Sequence, residues 1–190
     1  MPSRKKSQSA DELLGNDHAT LDKLLKGLFA ALDKAEIPAV FEHLDFFWAR
    51  LAMHIRAENL HLFPAILSRL EDTGPHLKDL PPPAEALEAI AQLQADHDFF
   101  MHELAAAIKA VRRLKNTGHS ERERHTLDEV AASITAISKR LESHNRIEEK
   151  LVYGLPAKLL TPSEQRTLAA GIERELQNLP PRFNGAQVGA

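Results

Sequence analysis

The stretch whose reading decides the fold is His54-Ile55-Arg56-Ala57-Glu58, which returns later in the chain as His144-Asn145-Arg146-Ile147-Glu148. Each is a His-x-x-x-Glu. On an α-helix four residues make slightly more than one turn, so the two side chains of each pair leave the same face. That face is otherwise apolar. Phe41, Leu44, Phe47, Trp48 and Leu51 lead into the first pair, and Val130, Ile134, Ile137 and Leu141 into the second, at the spacings of a core-facing stripe. A His and a Glu on such a stripe must be paired, hydrogen-bonded or bound to a cation, because an unpaired buried charge is very costly. Two copies of the motif read as two halves of one metal site.

Working outward, the spacing predicts four long helices. Ser9 and Glu12 make a capping box that opens the first, which runs to about Ala35 with the stripe Leu14, His18, Leu21, Leu25, Leu28, Leu32. The second starts near Pro38 and should end or kink at Pro64. Residues 72–83 read as the longest loop. The third, from about Ala84 to Asn116, carries Ile90, Leu93, His97, Met101, Leu104, Ile108 and Val111 on one face. Thr117-Gly118 stops it. Ser120 caps a fourth helix running to about Tyr153. A second capping box, Thr161 with Glu164, opens a fifth helix to about Asn178. The expected organisation is a basic disordered tail over 1–8, a bundle over 9–156, an extra C-terminal helix over 157–178 and a flexible tail over 179–190. The fold class is all-α, an antiparallel up-down four-helix bundle.

The halves repeat: Asp17-His18 then His54-x-x-x-Glu58, and Asp96-His97 then His144-x-x-x-Glu148. In a bundle these six side chains can converge at one depth. His18, His54, His97 and His144 would supply two terminal imidazoles to each of two metal ions, and Glu58 and Glu148 could each bridge both. Imidazole with carboxylate suits iron, and also zinc, manganese or copper. Six protein ligands leave open positions on two ions, where O₂, NO, peroxide or water could bind.

These residues, with Leu62-Phe63-Pro64 after the first motif and Glu149 after the second, resemble a hemerythrin-like domain of the HHE cation-binding type across roughly residues 10–156. The resemblance implies a four-helix bundle holding two iron ions as an oxo- or hydroxo-bridged non-haem di-iron centre. The family's members carry O₂, sense O₂ or iron, respond to NO, or repair iron–sulfur centres. Oxygen carriers of the family have a second His where Met101 stands here and a late Asp where this chain has Glu149. The four-His, two-Glu variant therefore fits better. Members linked to iron–sulfur repair often carry a cysteine-containing N-terminal domain that this sequence does not include.

Composition bounds the rest. There are 190 residues with a net charge of −3 and no cysteine. Any metal must then use N and O ligands, and no global charge favours nucleic acid or an anionic membrane. No apolar run is long enough to span a bilayer and none suggests a signal peptide, so a cytoplasmic protein is expected. The expected partner is a small diatomic ligand or peroxide, with no nucleic acid and no membrane; a protein partner is not specified. A peroxide- or NO-consuming enzyme and a zinc-holding interaction module are the alternative functions. His61, Glu149 and Tyr153 are secondary candidates near the site. His43, His76, His102, His119 and His125 fall on polar faces or loops.

Overall fold

The structure, a computed structural model, describes residues 8–72, 82–114 and 121–183. The described residues are helical throughout, with no strand. Four long helices, α1 (Ala10–Asp33), α2 (Ile37–Ala57), α4 (Pro83–Val111) and α5 (Glu121–Ile147), form an antiparallel up-down bundle. Helix α1 packs on α2 and α5, and α4 packs on α2 and α5, so the four close into a ring. Three shorter helices complete the chain: α3 (Phe63–Asp72), α6 (Leu155–Leu159) and α7 (Pro162–Gln177).

Local chemistry sets the ends. The Ser9 N–H donates to the Glu12 carboxylate at 3.0 Å, and Thr161 and Glu164 bond reciprocally at the start of α7. Helix α1 stops two residues before Ala35. Ala35 takes a left-handed φ of 53°, its N–H bonding Leu32 O while that of Glu36 bonds Ala31 O. That closing motif usually recruits glycine. The predicted loop over 72–83 and the Thr117-Gly118 and Ser120 signals fall largely or wholly outside the described residues.

Pro64 neither ends nor visibly breaks its helix. The chain widens just before it into one π-helical turn, Glu58–Leu62, closed by the Phe63 N–H on Glu58 O, and α3 continues through the proline. A proline cannot donate to the carbonyl four residues back and its ring crowds that carbonyl; the wider turn shifts the carbonyls it meets. A second π-helical turn, Glu148–Val152, closes with Tyr153 N–H on Glu148 O at 2.8 Å. Both wide turns begin at the Glu of a His-x-x-x-Glu.

The apolar core comes in two parts. One, built on Leu28, Leu44, Phe47, Phe100, Leu104, Ile134 and Ile137, fills the bundle end that holds the α1–α2 turn. The other, built on Leu14, Leu62, Phe63, Ile66, Leu93, Val152 and Ile172, fills the opposite end. Helix α7 packs on α2, α1 and the first π-helical turn, contributing Leu168, Ile172 and Leu176 to this second part. The C-terminal helix thus covers one flank of the bundle. Residues 179–183 of the expected flexible tail follow it, and the rest of that stretch lies outside the described residues. Residues Pro181–Phe183 make a 3₁₀ turn, Arg182 forks onto the Asp45 carboxylate at 2.9 and 3.0 Å, and Phe183 lies on Phe46. An ion pair and a ring contact join this stretch to α2.

Candidate metal centre

Between the two apolar parts lies a polar layer. His18 from α1, His54 from α2, His97 from α4 and His144 from α5 point into it, all buried. Glu58 and Glu148, the first residues of the two wide turns, enter it fully buried. The imidazoles stand in two pairs, His18 with His54 at 5.0 Å between ring centres and His97 with His144 at 4.9 Å. Each carboxylate divides its oxygens between the pairs. Glu58 turns Oε1 to His54 Nε2 at 3.5 Å and Oε2 to His97 Nε2 at 3.1 Å. Glu148 turns Oε2 to His18 Nε2 at 3.1 Å and Oε1 to His144 Nε2 at 2.7 Å. All six residues singled out by sequence are therefore brought together.

Outside them stands an orienting layer. Asp17 accepts from His54 Nδ1 at 3.0 Å, and Asp96 faces His144 Nδ1 at 3.3 Å. Each Asp is the residue before a site histidine, and each supports the histidine of the other helix in its half. Each is held in turn by an arginine one turn before that histidine. Arg50 donates to Asp17, and Arg140 donates to Asp96 at 2.7 Å. Gln92 adds a bond to Asp96 at 2.9 Å, and Arg50 also donates to Leu176 O of α7 at 2.7 Å. An imidazole whose Nδ1–H is held by a carboxylate presents a bare Nε2, which is the state a cation needs.

The model of the hemerythrin HHE cation binding domain matches residues 9–155. The chain belongs to that family. Neither a curated protein nor a solved structure matches it. Cation binding is the family's property, and two clusters of this hemerythrin domain suit it: Glu58, His97, His144 and Glu148, and His18, His54 and Glu148, with candidate donor atoms in each within 4.8 Å of one another. The donor chemistry fits. Glu58 Oε2 approaches His97 Nε2 at 3.1 Å and Glu148 Oε1 approaches His144 Nε2 at 2.7 Å, both outside good hydrogen-bond geometry, and the buried His97 Nδ1 has no hydrogen-bond partner. Buried polar atoms are rarely left so, and a cation among them would supply the missing partner.

Without a cation, charge does part of that work in the hemerythrin layer. Burial pushes Glu58 up, but the charge of His54 and hydrogen bonds with His54 and His97 outweigh it and hold the carboxyl well below its usual range. Burial pushes His54 down, yet the Glu58 charge and the Asp17 hydrogen bond hold it well above the usual imidazole value. His144 is likewise raised, by Glu148, against its burial. Asp17 is lowered, the bond and charge of His54 and the charge of Arg50 overcoming desolvation.

The secondary candidates separate. Tyr153 is in the layer: its buried hydroxyl donates to Glu58 Oε1 at 2.8 Å and lies 3.0 Å from His18 Nε2. Burial and the two carboxylates push that hydroxyl well above the usual tyrosine value. Glu149 is largely exposed and touches only the outer nitrogen of His18, at 3.2 Å. His61 is outside, its ring against Gly171 and its Nε2 3.8 Å from Glu175. Met101 lies half-buried against the apolar core. His102 and His125 are exposed, His43 rests on Gly27, and His76 and His119 lie outside the described residues. The sequence reading missed the parts played by Asp17, Asp96, Arg50 and Arg140. The available signal was the doubled four-residue step Arg50-x-x-x-His54-x-x-x-Glu58, repeated as Arg140, His144, Glu148.

Proposed function

We propose that this domain holds two iron ions, with His18 and His54 on one, His97 and His144 on the other, and Glu58 and Glu148 bridging both. Through that pair the protein binds or responds to O₂, NO or peroxide, or takes part in iron homeostasis. The observation that carries the reading is the division of the carboxylates: each sends one oxygen to each imidazole pair. A single-ion site has no use for that arrangement. Two iron ions would supply redox chemistry with small oxygen- or nitrogen-containing ligands, which zinc would not.

The chain's own residues do the rest. Asp17 and Asp96 fix the tautomers of His54 and His144 and keep their Nε2 atoms free. The two carboxylates offset part of the cation charge in a layer buried between the two apolar parts. Tyr153 brings its hydroxyl between Glu58 and Glu148.

Protein purified without oxygen from iron-replete cells should contain close to two iron per chain, and the oxidised pair should be magnetically coupled and silent in electron paramagnetic resonance. Metal-free protein should gain melting temperature on adding Fe(II). Zinc in place of iron under those conditions, or a melting temperature indifferent to iron, would overturn the reading.

A further inference from the structure

The two metal positions proposed above are not equivalent, and the difference lies in one oxygen. Tyr153 Oη is 2.8 Å from Glu58 Oε1, 3.1 Å from Glu148 Oε2, 3.0 Å from His18 Nε2 and 3.5 Å from His54 Nε2. All four atoms belong to the His18–His54 position. They are the oxygens and nitrogens that would hold its ion. A hydroxyl has one proton to donate and two lone pairs, so it cannot satisfy all four neighbours, each of which accepts when unprotonated.

The repeat puts a different residue at the other position. Phe63 stands nine residues after His54 as Tyr153 stands nine after His144. Its ring stacks on His97 at 5.9 Å and 11°, and it has no heteroatom to offer. At the His97–His144 position Glu58 Oε2, His97 Nε2 and Glu148 Oε1 are close only to the carboxylates and imidazoles of the layer, without hydrogen-bond geometry, while their counterparts toward His18 and His54 also lie against the Tyr153 hydroxyl.

We infer that Tyr153 is a metal ligand: Oη completes the shell of the ion at the His18–His54 position, and the His97–His144 position is the one left open to a small exogenous ligand. The inference rests on the two-ion reading. On coordination the O–H bond breaks, its proton passes to solvent and the oxygen lone pair forms the bond to the ion; no electron changes hands.

The chain contains one tyrosine, so any tyrosinate signal from the loaded protein has one source. The test is resonance Raman spectroscopy of the Fe(III)-loaded full chain, excited in the visible, beside Tyr153→Phe at measured iron content. Expected are a visible tyrosinate-to-iron band and enhanced tyrosine ring vibrations in the wild type. Both should vanish in Tyr153→Phe that still holds about two iron per chain. Wild-type protein with two iron per chain and no enhanced tyrosine vibrations overturns the inference and leaves the iron pair standing. Protein that takes up no iron overturns both. The wild-type spectrum decides the question even where the variant folds poorly.

Discussion

At the scale of single residues, Asp96 and Asp17 carry charge to the back of two histidines. Removing that charge while keeping the shape should loosen metal without unfolding the bundle. Asp96→Asn is expected to weaken metal affinity by about 10- to 100-fold, the usual cost of losing a carboxylate behind a ligating imidazole. Chelator competition measures it, with circular dichroism unchanged. Asp17→Asn should behave alike. His54, Glu58, His144 and Glu148 were legible in the sequence because a four-residue step fixes each pair to one face of one helix, and His18 and His97 because each interrupts an apolar stripe. Asp17 and Asp96 were visible as a repeat but not as supports, since their partners lie on other helices. Tyr153 was left undecided for a geometrical reason: nine residues of regular helix turn about 900°, half a turn away from its histidine.

At the scale of elements, the wide turn resolves that. It absorbs one extra residue, so Tyr153 sits about where an eighth residue would, near 800° and back toward the Glu148 face. No residue type marks such a turn, which is why continuous helix was expected where α2 and α5 widen. The capping boxes were legible because they are local: Ser9 with Glu12, and Thr161 with Glu164, need only a three-residue spacing. Helix α7 offers a test. Thr161→Ala should cost about 1 kcal/mol and lower the melting temperature by roughly 2–4 °C for a chain of this size. Because Arg50 leans on the last turn of α7 through Leu176 O, a larger truncation removing α7 should also weaken metal binding, and on the His18–His54 side first.

At the scale of the whole molecule, a charged layer separates two apolar parts. Its stability should therefore depend on what occupies it. The sign with pH can be worked out for the metal-free protein. His54 is raised, so its contribution is complete below the ordinary imidazole value and is lost as pH climbs through the raised one. Glu58 is lowered, so its contribution is complete above the ordinary carboxyl value and fades only as pH falls through the lowered one. Metal-free protein should thus melt highest in mildly acidic buffer and lose melting temperature toward alkaline pH. Metal must displace the histidine protons, so uptake should release protons and strengthen as pH rises. Loaded and metal-free protein should then diverge most at high pH in a calorimeter. The bundle itself was legible because its stripes are long. The docking of Arg182 on Asp45 was not, because it joins residues far apart in the chain through one surface ion pair.

The second wide turn ties what the site contains to how many residues are counted through it. Excising Lys150 would erase no group that faces the cations, and would leave every candidate donor from His18 to Glu148 in place. The turn would tighten to ordinary pitch, and because it carries one residue more than a regular helix, Tyr153 would then stand eight regular residues after His144, at about the bearing it has now. The phenol ring and α6 would keep their register. A one-codon insertion at the same place would instead carry the phenol roughly 100° away from the cations.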